Sequence, residues 1–194
     1  LPGEWQPMPW PIYGGRDLSR YESWESYLGF FAPELNAGFV ALYDVKAEQG
    51  IVRSFAPGRP VGTKFFGPGT LPSWLWTDDD SSYIELWSGI TPTFADTMTL
   101  ASGDSVGWTE RWYPVHDLGG VTTANDNAAL HLKTTEEGVE IGCTVTAPTQ
   151  GSLTLWVNGE PTEVWSVSLT PLQTLRTTWT QLTGAGEEIG LTLT

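Results

Sequence analysis

A chain of 194 residues can bury a real core, as one large β-domain or two small ones. Its formal charge of −14 and pI near 4.3 exclude a nucleic-acid binder, which needs clustered Lys and Arg, and argue equally against anionic membrane surfaces. The single cysteine, Cys143, excludes an intrachain disulfide, and two histidines exclude a multi-histidine metal site.

Eleven Trp, with Gly and Pro plentiful and dispersed, favour many short strands joined by turns over long helices. Residues 1–11 read as an extended arm packed by Trp5 and Trp10. Tyr13-Gly-Gly-Arg-Asp17 is a turn carrying two charges. Over 19–31, Ser19 as N-cap and Tyr21, Trp24, Tyr27 and Leu28 at helical spacing predict a short helix or irregular turn. From Asn36 the pattern changes to strands. Residues 37–45 and 50–55 form a hairpin around Lys46-Ala-Glu-Gln49. Residues 62–66 form a short strand ended by the breaker Gly67-Pro-Gly69. Strands over 83–89, 93–100 and 106–115 make a meander, the last two joined around Ala101-Ser-Gly-Asp104. Residues 118–128 read as a linker or long loop. Cleaner alternation follows over 129–133, 139–146, 152–157, 163–169 and 189–193, with the strongest hairpin signal at Val157-Asn-Gly-Glu-Pro161. Cys143 shares the parity of Val139, Ile141 and Val145, which makes it a buried structural thiol.

The chemistry concentrates between Trp74 and Pro114. Tyr83-Ile-Glu-Leu-Trp87 and Trp108-Thr-Glu-Arg-Trp112 both read aromatic-x-Glu-x-Trp. In a strand, residues two apart share a face, so Tyr83, Glu85 and Trp87 line one face and Trp108, Glu110 and Trp112 line another. A carboxylate between flat apolar rings suits a sugar, whose hydroxyls seek acceptors and whose C–H face seeks a platform. The meander puts both glutamates on one sheet, with the strand 93–100 between them, so they meet only if the sheet curves. Each is either a general acid or base with a raised pKa or a glutamate paired with Arg111, Arg53 or Lys64.

His116, with Asp117, closes that strand as a proton shuttle or a local pair. Arg16, Asp17 and Arg20 follow the Gly-Gly turn, where an arginine fork fits a uronic acid or the protein's own carboxylates. Asp78–Asp80 and Asn125-Asp-Asn127 offer oxygens to calcium but match no EF-hand loop; no cofactor is expected, with calcium left as the alternative. No membrane-spanning apolar run and no secretory leader is read, which leaves cytoplasm and secretion both open. The first residue is Leu, so we expect a piece of a longer protein, with that protein's other domains as partners.

Tyr13-Gly-Gly-Arg-Asp-Leu-Ser-Arg20, Trp24, Tyr27-Leu-Gly-Phe-Phe-Ala32, Gly50-Ile-Val-Arg53, Gly62-Thr-Lys-Phe-Phe66 and the two aromatic-x-Glu-x-Trp segments resemble a bacterial domain family of unassigned function. That family is often found beside tetratricopeptide repeats. It resembles in turn the galactose-mutarotase-like supersandwich of aldose epimerases and of non-catalytic domains in sugar hydrolases and lyases. The resemblance runs closely over residues 10–130 and loosely beyond. It implies an all-β antiparallel β-sandwich, a partial supersandwich, that contacts sugar. The histidine pair and carboxylate of mutarotases do not map onto His116 or His131, so epimerase activity does not carry over.

The expected organisation is one domain: an arm over 1–35, a first β layer over 36–120, and strands completing the sandwich over 121–194. Three functions are weighed. The first is a carbohydrate-binding or carbohydrate-processing accessory domain, with Tyr83, Glu85, Trp87, Trp108, Glu110, Arg111, Trp112 and Arg16 as contacts. The second is a structural or interaction domain without a small-molecule ligand. The third is an epimerase or glycosidase with Glu85, Glu110 and His116 as its chemistry. The stretch 74–114 reads first as a binding wall or core sheet.

Overall fold

The computed structural model describes residues 7–33, 35–181 and 186–194, so Trp5 of the expected arm lies outside the described residues. The described chain is all-β. In order, its strands are β1 (Ile12–Tyr13), β2 (Arg16–Asp17), β3 (Leu28–Phe31), β4 (Phe39–Asp44), β5 (Gln49–Phe55), β6 (Lys64–Gly67), β7 (Glu85–Trp87), β8 (Glu110–His116), β9 (Thr123–Ala124), β10 (Ala128–Thr135), β11 (Gly138–Val145), β12 (Thr149–Val157), β13 (Glu160–Leu169), β14 (Thr174–Trp179) and β15 (Ile189–Leu193). Two 3-10 turns, Tyr21–Ser23 and Ser73–Leu75, take the place of helices among the described residues. The chain divides into two compact units of two segments each: unit 1 is Leu1–Leu35 with Pro60–Val106, and unit 2 is Asn36–Arg59 with Gly107–Thr194. The span 36–120, read from the sequence as one layer, is therefore shared between both units.

Unit 1 holds the β1–β2 hairpin and the antiparallel sheet β3-β6-β7. Gly14 and Gly15 turn the hairpin with φ of 59° and 78°, a conformation that side chains resist. Of the short helix or irregular turn expected over 19–31, the turn forms, as the 3-10 turn Tyr21–Ser23, and the rest of the segment runs into β3. Ser19 gives its backbone N–H and hydroxyl to Asp17 Oδ1 at 3.0 and 2.6 Å, which takes it out of a capping role. The Trp24 indole donates to the Leu18 carbonyl at 3.1 Å, and Phe30 stacks on Phe65 at 4.8 Å, so tertiary packing sets the segment instead of helical spacing. Trp10 packs against Phe30 at 5.2 Å.

The strand expected over 93–100 is also absent. Thr93 donates its N–H and hydroxyl to Asp96 Oδ2, both at 2.8 Å, and the Ala101 N–H goes to Asp104 Oδ2 at 3.0 Å. Such local side-chain bonds compete with a strand ladder. Without it the meander disappears, and β8 pairs with β5 in the sheet β4-β5-β8. There β8 is the edge, the position that tolerates Pro114 with no N–H to give.

Unit 2 carries that sheet and two more, β9-β10-β11-β14 and β13-β12-β15. On β11, Val139, Ile141, Cys143 and Val145 point one way and are buried. The first three pack with Leu153, Leu155 and Val167 of the β13-β12-β15 sheet, which makes a sandwich. Each such side chain stabilises the fold by roughly 1.5–3 kcal/mol when fully buried. The opposite face of the same sheet meets Val52, Val115 and Leu118 through Ala129, a second core. That face is crowded: a Cβ on Gly142 would lie 2.4 Å from the Leu118 carbonyl oxygen. Leu118, expected in a linker, is therefore core, and the expected linker 118–128 contributes β9. Asn158 and Gly159, with φ of 52° and 82°, make the β12–β13 hairpin. Burial pushes the Cys143 thiol up to about 11, which makes it inert.

His131 sits on the crowded face, 6 % exposed, against Gly119, Gly120 and Gly142. Neither ring nitrogen has a hydrogen-bond partner among the described residues, and Glu140 at 3.8 Å is too distant for one. Desolvation lowers the His131 pKa, Glu140 opposes more weakly, and Lys133 and Arg176 add to the lowering. A base depressed in the folded state takes its proton first in the unfolded chain. Stability is therefore complete above about pH 6.5 and falls as pH drops below it toward the folded pKa. His116, raised chiefly by its bond to Asp117, has the opposite sign, with stability present below its unfolded pKa and lost as pH rises. We predict that lowering the pH from about 7.5 to about 5.5 shifts urea-unfolding stability less favourably in the wild type than in His131→Leu, the His116 contribution being common to both. An unchanged pH profile in His131→Leu would mean that His131 is not the group responsible.

Candidate functional site

The two aromatic-x-Glu-x-Trp segments fold alike locally. On β7 the Trp87 indole donates to Glu85 Oε2, and the Tyr83 hydroxyl lies against the same carboxylate. The Tyr83 pKa is raised, first by desolvation and then by Glu85. At β8 the indole of Trp108, just before the strand, donates to Glu110 Oε1 at 2.6 Å and the Trp112 indole to Glu110 Oε2 at 3.2 Å. The cause is the strand period: residues two apart stand on one side, close enough for indole and carboxylate to bond.

The two segments belong to different sheets. Glu85 belongs to the β3-β6-β7 sheet of unit 1, and Glu110 to the β4-β5-β8 sheet of unit 2. The single sheet expected to carry both depended on a strand at 93–100 that does not form, so the shared-sheet ground for an acid–base pair is gone.

Around Glu85 the sheet builds a cleft. Registers Phe31↔Lys64↔Trp87 and Gly29↔Phe66↔Glu85 put Phe31, Lys64, Phe66, Glu85 and Trp87 on one face, and the bare Gly29 leaves a notch beside Phe66. Phe94 closes over this face edge-on to Phe31 and Trp87, both at 5.2 Å between centroids. The cleft is half open and has a volume of about 310 Å³. Lys64, 6 % exposed, donates to the Gly62 carbonyl at 3.0 Å and holds its ammonium 5.3 Å from the Phe94 ring. Trp87 and Phe94 remain 43 % and 64 % exposed, so their rings face solvent. Beyond them Phe66 contacts Trp76 at 5.4 Å. The wall is thus aromatic, with one cation and one carboxylate set into it.

Around Glu110 the arrangement is a platform. Arg53, fully buried, places its guanidinium 4.9 Å from the Phe55 ring and 5.6 Å from the Trp112 ring. Burial lowers the Arg53 pKa and the Glu110 charge opposes that. Arg111 points to the other face of β8 and pairs with Asp126, which also accepts from Ser54 at 2.6 Å. Arg111 and Asp126 line an open depression of about 590 Å³ with Trp112, Tyr113, Asn127 and Thr146. Tyr113 donates there to the Asn125 and Ala128 carbonyls, at 2.8 and 3.0 Å, and its pKa is raised by burial and then by Asp126.

Arg16 and His116 line neither the cleft nor the depression. Arg16 pairs with Glu25 at 3.2 Å, an exposed pair worth about 0–1 kcal/mol. His116 Nδ1 meets Asp117 at 2.8 Å, the local-pair alternative. Asn125 Oδ1 accepts the backbone N–H groups of Asn127 and Ala128, and Asp79 that of Ser81, so these loops use their oxygens to hold themselves. No group of three or more metal-ligating side chains gathers among the described residues.

No family model and no solved structure matches the chain.

Sequence reasoning missed Phe31, Phe66 and Phe94 as cleft residues and treated Lys64 and Arg53 only as ion-pair partners. The alternation Lys64/Phe66 is readable in the sequence; the seating of Phe94 is not, because it follows from a contact across the sheet. We predict that the indole N–H correlations of Trp108 and Trp112 both shift in Glu110→Gln, whereas Glu85→Gln moves only that of Trp87. A two-dimensional ¹H–¹⁵N spectrum checks this, and unmoved indole signals would contradict the bonds.

Proposed function

We propose that the chain is a carbohydrate-binding accessory domain of a larger protein and that the β3-β6-β7 cleft takes a sugar ring. The observation that carries the reading is the sheet face on which Phe31, Phe66 and Trp87, closed over by Phe94, wall a cleft of about 310 Å³ around Lys64 and Glu85. Leaving large rings at 43 % and 64 % exposure is unfavourable in water unless something covers them. A pyranose covers them well, because its C–H face is apolar and its rim is all hydroxyl. Glu85 supplies an acceptor for those hydroxyls, and the volume lies at the small end for ligand sites. The indole–carboxylate bond fixes the Trp87 ring before any ligand arrives, which lowers the ordering cost of binding.

The resemblance of residues 10–130 to a family allied with the galactose-mutarotase-like supersandwich supports the same reading. Binding, and not turnover, is the activity proposed. The test is calorimetric titration with a panel of neutral mono- and oligosaccharides. At least one should bind, and Trp87→Ala should weaken that binding roughly tenfold, about 1.4 kcal/mol, while the far-ultraviolet circular dichroism stays that of the wild type. No binding by any member, with tryptophan emission unchanged, leaves a structural or interaction role in its place.

A further inference from the structure

We infer that Trp108, Glu110 and Trp112 in unit 2 form a second sugar-stacking surface, built for a chain of neutral pyranoses and not for a lone sugar. The inference rests on the carbohydrate reading above but uses none of the cleft's residues.

An exposed tryptophan ordinarily turns its indole N–H to water and samples several rotamers. Here two exposed rings, at 40 % and 47 %, both spend that N–H on one carboxylate. The rings are tied to a common anchor and hold a fixed relation. Trp112 is further backed by the guanidinium of Arg53, which is itself buried beside Phe55. A buried cation, a carboxylate and two indoles thus combine to present ring surface to solvent. Only the flat π-surface is on offer, since both N–H donors are used internally.

Charge narrows the ligand. Glu110 stands between the rings and the whole chain carries −14, so a phosphate, sulfate or uronate is repelled. Arg53, the cation at this place, is fully buried and out of an anion's reach. A quaternary ammonium is disfavoured because the Trp112 ring already lies over a guanidinium. A neutral ligand with a flat C–H face remains, which is a pyranose with equatorial hydroxyls. Two rings on one anchor give two stacking positions, so an oligosaccharide gains what a monosaccharide cannot. Glu110 is then a positioning residue that sets the rings.

The experiment titrates the full chain with glucose, cellobiose, cellotriose and cellohexaose, and with the hexasaccharides of β-1,3-glucan and xylan. The variants are Trp108→Ala, Trp112→Ala, and Trp87→Ala with Phe94→Ala. At least one hexasaccharide should bind roughly tenfold more tightly than glucose, and Trp108→Ala and Trp112→Ala should each weaken it about fivefold to tenfold without changing affinity for the monosaccharide. The cleft variant should keep oligosaccharide binding. Wild-type affinity for every hexasaccharide in both platform variants overturns this inference, as does loss of all binding in the cleft variant; either result leaves the cleft reading standing. A wild type that binds nothing overturns both. Should Trp112→Ala fail to fold, Trp108→Ala decides alone, because Trp108 precedes the first strand residue of β8.

Discussion

An extended strand sends successive side chains to opposite faces, and in this chain that two-residue period does two separate jobs. In β11 it sorts bulk from absence. Val139, Ile141 and Cys143 fill the core of the sandwich, while Gly142 on the other face leaves room for Leu118 and the His131 side chain. The central sheet of unit 2 can therefore be covered on both sides. In β7 and β8 the same period brings a carboxylate beside an indole two residues on. The geometry is shared, and the difference lies in burial. Where both faces are covered, alternation yields core; where one face stays open, it yields aromatic rings held by hydrogen bonds.

The pinned rings give the acidic surface a particular character. Most of the charge is solvated and serves repulsion between molecules. Glu85 and Glu110 differ because their oxygens accept indole N–H groups, so they orient apolar surface as well as adding charge. Charge-assisted bonds of this kind are stronger than neutral ones, which suits the fixing of a ring that stays partly exposed. In unit 1 the result is a walled cleft with Lys64 let into it; in unit 2 it is a platform backed by Arg53. The carbohydrate proposal rests on these two surfaces.

Much of the fold was legible wherever the signal was local. The β4–β5 hairpin, the Asn158-Gly159 turn, the β15 strand and the burial of Cys143 all follow from turn chemistry and alternation within a few residues. Failures came where distant contacts outvote local pattern. Tyr21, Trp24, Tyr27 and Leu28 have helical spacing, but Phe30 stacks on Phe65 and Leu28–Phe31 joins a ladder with β6. Residues 93–100 have strand-like composition, but Asp96 and Asp104 bend the chain locally and β8 finds its partner in β5. β14 went unread because its pairing with β11 is what makes Thr174–Trp179 a strand. The candidate site shows the same division. That Glu85 sits with Trp87, and Glu110 with Trp112, was readable from parity. That the two pairs belong to different sheets was not, because it depends on which strands pair across tens of residues.

The central claim is that rings fixed by carboxylates are ligand surfaces and not core. Its most direct measurement is the indole region of the ¹H–¹⁵N spectrum during titration with a neutral hexasaccharide. The account predicts that the signals of Trp87, Trp108 and Trp112 move with ligand, while those of the buried Trp24 and Trp179 stay where they are. Saturating every hexasaccharide of the panel without moving any of those three signals would contradict it.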